Sequence, residues 1–184
     1  MLSIVKNFEM NYKEDNMFRE ASKEDLQRIS DLLGDKVDKV IEFYSKYEPY
    51  NLPALDSYVS LLSIDDIIVE NTDGEPGMYL SKYGVFVFSV TLGGNVLLID
   101  TNDNCEGDAS VLLADSSMFY YDYEDDMVQL MVPDSVEDKF TEPGIIYLNY
   151  ENLKKSTYKF EDSFLEFMKK LSNNEYPNIE KFLL

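Results

Sequence analysis

Two apolar runs face each other across a glycine turn. Val85-Phe86-Val87-Phe88 and Val96-Leu97-Leu98-Ile99 are separated by Ser89–Asn95, which ends in Gly93-Gly94-Asn95. The stretch Tyr83–Leu92 is rich in β-branched and aromatic residues. Val96–Thr101 returns from a tight turn built on Gly93-Gly94 or Gly94-Asn95. Strands that are apolar at every position, instead of at alternate positions, are buried on both faces. Other elements must therefore cover this hairpin on both sides, and helices on at least one side are the natural cover. Ser110–Asp115 reads as a third strand and Phe119–Tyr123 as a fourth, with Met127–Val132 and Ile145–Leu148 as further candidates.

Helical periodicity flanks the strands. Ser22 and Asp25 form a capping-box variant ahead of Leu26, Ile29, Leu32 and Leu33, and Gly34 supplies the stop. A second helix is expected at once, capped by Asp35, with Val37, Val40, Ile41 and Tyr44 on one face; Pro49 and Pro53 end that region. Near the C-terminus, Ser163 and Glu166 form another capping box. Phe164, Phe167, Met168 and Leu171 make its stripe, Lys169 and Lys170 sit in the last turn, and Asn173-Asn174 closes it. Leu2, Ile4, Phe8 and Met10 suggest a short edge strand in the weakly patterned first twenty residues. The tail through Phe182-Leu183-Leu184 is expected to dock on the domain or on a partner.

The expected fold class is therefore α+β: two N-terminal helices, a twisted antiparallel sheet of about five or six strands, and a C-terminal helix packed on the sheet. A chain of 184 residues fits a single domain over 1–184, with a core at about 20–172, an acidic insertion over 116–143 and a C-terminal tail over 173–184.

Composition narrows the chemistry. There is no histidine, so a Ser-His-Asp triad, a Cys-His pair and a His-ligated zinc are all excluded. Cys105 is the only cysteine, which rules out an intrachain disulfide and fits a reducing compartment; the expected location is cytoplasmic. No apolar run is long enough to span a bilayer, and the N-terminus has no signal-peptide pattern. The net charge of −20 opposes binding to nucleic acid or an anionic membrane and favours a basic partner. Simple solubility would also account for it.

Three motifs resolve to ordinary structure. Asp100-x-Asn102-x-Asn104 begins like a calcium loop, but Cys105 stands where glycine belongs and Val111 where the closing glutamate belongs. It reads as an acidic hairpin connection. Gly93-Gly94 lacks phosphate-loop spacing and no helix follows it. Carboxylate pairs are too numerous to single out a catalytic one. No catalytic residue, metal site or cofactor is expected.

The acidic charge is concentrated. From Asp100 to Glu142 there are thirteen acids and one base, Lys139. Within this region Phe119–Asp126 packs four aromatics and four acids into eight residues. Tyrosine brings contact area and a hydroxyl at low entropic cost, so it is favoured at interfaces. The expected partner-binding set is Asp100, Asp103, Glu106, Asp108, Tyr120, Tyr121, Asp122, Tyr123, Glu124, Asp125 and Asp126. The alternative is a solvated strand edge kept from aggregating by charge.

Taken in order, several segments resemble the SUKH superfamily. The helix ending in Leu33-Gly34 and the apolar-aromatic segment Val37–Tyr47 resemble its opening pair. Leu61–Glu70 (LLSIDDIIVE) resembles its acidic helix, Phe88–Asp100 (FSVTLGGNVLLID) its central hairpin, Val111–Asp115 the following strand, and Ser163–Leu171 (SFLEFMKKL) its terminal helix. The likeness spans about residues 20–172, and Asp122–Pro143 reads as an insertion. The resemblance implies a small α+β domain and a non-enzymatic role. The expected role is that of a bacterial immunity protein neutralising a polymorphic toxin, often a basic nuclease. A regulatory adaptor of the same superfamily is the alternative, with a cation-binding protein behind it.

Overall fold

The hairpin that is apolar at every position divides its side chains between two cores. Phe86, Phe88, Leu97 and Ile99 point into one, and Val85, Val87, Val96 and Leu98 into the other. The computed structural model describes the chain except residues 15, 54, 133, 141–143, 177 and 184; of 134–136 only the backbone is considered.

The N-terminal part comprises α1 (Leu2–Tyr12), β1 (Phe18–Arg19), α2 (Lys23–Leu33), α3 (Asp38–Lys46), β2 (Glu48–Pro49), β3 (Val59–Leu61), α4 (Ile64–Thr72) and the single turn α5 (Gly77–Leu80). Then come β4 (Val85–Thr91), β5 (Val96–Cys105) and β6 (Asp108–Ala114), followed by β7 (Phe119–Asp122), β8 (Met127–Met131) and β9 (Ile145–Tyr147). The chain finishes with α6 (Tyr150–Ser156), β10 (Tyr158–Glu161) and α7 (Phe164–Ser172). This is an α+β fold. Its main sheet is five-stranded and antiparallel, in the order β10-β6-β5-β4-β3.

Helices cover one face of this sheet. Ile4 and Phe8 of α1, Ile29 and Leu33 of α2, Val40 and Phe43 of α3, Ile64 and Ile67 of α4, and Phe164 and Phe167 of α7 share the first core. The other face is covered mainly by a second, three-stranded antiparallel sheet, β7-β8-β9, with α5 and α6 beside it. Phe119 and Leu130 of that sheet and Leu153 of α6 fill the second core. The strands expected at Phe119–Tyr123, Met127–Val132 and Ile145–Leu148 to extend the main sheet thus form a separate layer, and the main sheet's outer strand beside β6 is β10 instead.

Local signals explain the best-formed helices. The Ser22 hydroxyl accepts from the Asp25 amide and donates to the Asp25 carboxylate, closing a reciprocal cap. Ser63 with Asp66 repeats the pattern on α4, and Ser163 caps α7. Two expectations are corrected. Residues 2–12 form a helix and not an edge strand, because Ile4, Val5 and Phe8 share a helical face that buries against the core. Helix α3 begins at Asp38 and not beside Asp35; Val37 occupies its N-cap without a side-chain hydrogen bond.

One buried amide ties helix to sheet. The register of β4 against β5 shifts between Val87 and Ser89. Asn71 of α4 donates to the Val87 carbonyl (2.7 Å) and accepts from the Val87 amide (2.8 Å), so the bulge leaves neither group unpaired. The tail does dock. Tyr176 and Ile179 are buried in the first core, and the Glu180 carboxylate accepts from the Gly93 amide (2.8 Å) and the Asn95 side chain (2.6 Å) in the central turn. Phe182 packs its ring on Phe160 at 5.0 Å; Leu184 lies outside the described residues.

Candidate partner-binding surface

The eleven residues expected to contact a partner do not form one surface. Asp100 is 0% exposed. Its carboxylate accepts from the Tyr150 hydroxyl (3.0 Å), the Lys154 ammonium (2.9 Å) and the Asn102 amide (3.1 Å). Asp108 is 7% exposed and accepts from the Ser163 hydroxyl (2.6 Å) and the Phe164 amide (3.1 Å). It thereby answers a free N–H at the start of α7. Both acids are internal acceptors, and their assignment to a contact surface is corrected: a carboxylate inside the domain cannot meet a partner.

Asp103 is half-exposed but already committed to two lysines, Lys154 and Lys159, each at 3.0 Å. Their hydrogen bonds hold its carboxyl down at about 2. For the Lys154 ammonium, burial pulls downward, yet Asp100 and Asp103 outweigh it and the value is raised. Burial, then the Asp100 charge, pushes the Tyr150 phenol up. Asn102 and Asn104 spend their amides on the Tyr83 and Thr101 carbonyls, so the start of the broken calcium pattern is an internal hydrogen-bond network in and around β5. Glu106 is exposed, but its turn leans on α3, where the Lys39 backbone amide donates to the Gly107 carbonyl (3.0 Å).

The other seven residues do stay together, on the β7–β8 hairpin. Alternation along β7 turns Phe119 and Tyr121 toward the second core and Tyr120 and Asp122 outward. Tyr121 stacks on Tyr79 of α5 at 6.2 Å and meets Tyr123 edge-on at 5.0 Å. Its hydroxyl donates to Asp126, and this bond raises its pKa. Burial and a hydrogen bond to Glu75 push Tyr79 up to about 12. The Asp122 carboxylate accepts from the Glu124 amide (2.9 Å) and the Gln129 side chain (2.5 Å), fixing the turn. Asp126 takes a left-handed backbone (φ 53°), which Asp tolerates better than most residues.

At the tip, Tyr123 is 87% exposed, and Glu124, Asp125 and Asp126 are exposed beside it. Among the described residues, no ion pair involves Asp122, Glu124, Asp125 or Asp126. The acids of the tip are therefore unpaired among the described residues, unlike Asp100 and Asp103. A cleft of about 370 Å³ adjoins it, lined by Tyr79, Tyr83 and Tyr121 with Lys82 and Asp126.

Comparison with protein-family models, curated proteins and solved structures gives no match to this chain.

Sequence reasoning missed the outward side of the second sheet. Met127, Met131, Ile145 and Tyr147 are all exposed there. The alternation in Met127-Val128-Gln129-Leu130-Met131 carries the signal, since burying Val128 and Leu130 turns both methionines out. No helix of the described chain is long and apolar enough to cross a membrane.

Proposed function

We propose that the chain is a non-enzymatic protein-binding domain, an immunity protein of the SUKH type that neutralises a basic toxin domain by occluding its working surface. One observation carries the reading: a hairpin presents an exposed tyrosine and three exposed acids that form no ion pair among the described residues. Fixing uncompensated charge in place favours a partner of opposite charge, because the field steers encounter and the aromatic side chains hold what arrives. The order of helix pair, acidic helix, central hairpin and terminal helix is compatible with the sequence resemblance.

On this reading, the neighbouring reading frame encodes a secreted protein with a basic C-terminal domain, and that domain is the ligand for the test. Reversing Glu124, Asp125 and Asp126 to Lys inverts the local charge; Asp122 still holds the turn through the Glu124 amide and Gln129, while the Tyr121–Asp126 bond is lost. The matched control reverses Glu14, Glu20 and Glu24, which are exposed far along the chain. Electrostatic steering raises association by roughly 10–10³. The hairpin reversal should therefore slow association by at least about tenfold at low salt and flatten its salt dependence, while the control does much less. Equal effects of the two reversals would reduce the hairpin to a solvated edge.

A further inference from the structure

The second sheet ends in an open edge. Hydrogen bonds from Val132 N to Gly144 O and from Leu148 N to Val128 O set the register of β9 on β8. In an antiparallel ladder, residues alternate between facing the partner strand and facing away. Ile145 and Tyr147 are the two that turn their peptide groups away from β8. Among the described residues, only the Tyr147 carbonyl finds a partner there, the Asn152 side chain at 3.0 Å. The Ile145 amide and carbonyl and the Tyr147 amide have none. Exposed edges normally carry a charge, a proline or a bulge that discourages pairing. β9 is short, three residues, but residues 144–148, Gly-Ile-Ile-Tyr-Leu, carry no charge, proline or register shift.

The surroundings of this edge are equally specific. A groove of about 360 Å³ runs beside it, lined by Gln129, Ile145, Ile146, Tyr147, Asn149 and Asn152. On the outer face Met131 pairs with Ile145, and Gln129 with Tyr147. Met131, Ile145 and Tyr147 are 51%, 58% and 49% exposed, so a contiguous apolar face flanks the groove. The acidic tip closes the end of the sheet nearest Tyr147, since Met127 and Asp122 pair one step beyond Val128. A strand added at β9 would lie about 10 Å from β8, close to the Debye length of about 8 Å at physiological salt.

We infer that the β9 edge and its groove receive an extended, basic segment of the partner, which adds to the second sheet as a fourth strand. This rests on the reading that the partner is a basic protein. Main-chain hydrogen bonds to Ile145 and Tyr147 supply a sequence-tolerant part of the affinity. Apolar side chains of the segment pack on Met131, Ile145 and Tyr147, and its cations answer the acidic tip. A second copy of this chain is the poorer occupant. Edge-to-edge pairing would bring together two molecules that each carry −20.

The probe is a synthetic peptide of alternating lysine and valine, added to the full chain, with an alternating glutamate and valine peptide as control. Amide hydrogen exchange reads the edge directly. The basic peptide should slow exchange at Ile145 and Tyr147, and the acidic one should not. Ile145→Pro removes an edge donor, and Tyr147→Lys replaces an exposed ring without touching the core. Each should weaken the basic peptide by about tenfold or more. Unprotected β9 amides at saturating basic peptide overturn the inference, as does equal protection by both peptides. Protection that grows with protein concentration alone also overturns it, by assigning the edge to self-pairing. If the toxin domain binds and depends on Glu124, Asp125 and Asp126 while β9 stays unprotected, the inference fails and the wider reading stands. If no basic domain binds, the wider reading itself has failed.

Discussion

The buried pair Asp100–Lys154 separates charge that builds the domain from charge that serves its surface. Asp100 is fully buried, and four donors on residues 102, 150 and 154 converge on it. Replacing Lys154 by Met leaves a buried carboxylate without its cation. Removing one partner of such a pair costs about 3–5 kcal/mol. For a chain of this size that lowers Tm by about 6–20 °C, at roughly 2–4 °C per kcal/mol. Asp100→Asn should be milder. The amide keeps one acceptor oxygen, for the Asn102 amide, its NH2 can donate to the Tyr150 hydroxyl, and the Lys154 ammonium keeps Asp103 at 3.0 Å. The loss is then one charge-assisted hydrogen bond, about 2 kcal/mol, or about 4–8 °C. The double variant should be no less stable than Lys154→Met alone, because the two changes remove the same interaction. Urea unfolding at neutral pH measures all three. Association with the basic toxin domain, per folded molecule, should be nearly unchanged in Asp100→Asn. If that variant keeps wild-type stability but slows association as much as the hairpin reversal does, Asp100 faces a partner and the internal assignment is wrong.

Two further outcomes follow from buried polar groups. Asn71→Ala orphans the Val87 amide and carbonyl at the β4 bulge; it should cost about 2–4 kcal/mol in urea unfolding and remove the exchange protection of the Val87 amide, and wild-type protection there would exclude the clamp. Tyr44, Tyr150 and Tyr176 are pushed upward chiefly by burial, and Tyr79 to about 12. A phenol whose folded value is raised contributes stability that is present below its unfolded value of about 10 and is lost as pH rises through the folded one. Near-ultraviolet absorbance should therefore show these four ionising only together with alkaline unfolding; ionisation of all fourteen tyrosines in one step of a still-folded protein would contradict the burial.

What the sequence made legible was local. Ser22, Ser63 and Ser163 each sit three residues ahead of an acid, and each does begin a helix. The doubly apolar hairpin demanded two covers and has them. The failures are of two kinds. In α1, Leu2, Ile4, Phe8 and Met10 all have even numbers, so a period of two seemed to fit; the stripe that packs is Ile4, Val5 and Phe8, a helical one. Helix α6 has a single fully buried apolar anchor, Leu153, and too short a pattern to stand out. The other kind is long-range. The cation that answers Asp100 lies 54 residues away, and the hydroxyl that answers Asp108 lies 55 away. Charge density along the chain registers both acids and neither partner, so it overcounted the surface.

The second sheet shows where folding requirements end and another demand begins. Covering the lower face of the hairpin requires only that Phe119, Val128, Leu130 and Ile146 point inward. The period of two then fixes which residues point out but leaves their chemistry free. An antiparallel sheet with one solvated face ordinarily fills those positions with polar side chains. Here the outward positions on β8 and β9 hold Met127, Met131, Ile145 and Tyr147, and only Gln129 among them is polar. The exposed acids of the β7–β8 hairpin lie in its turn, at one end of this face. Burial of the core explains neither the apolar outward side nor the uncharged β9 edge. The proposed contact with a second protein would account for both, because such an interface needs a dry centre and a charged rim, and the apolar face and acidic turn are divided in that way.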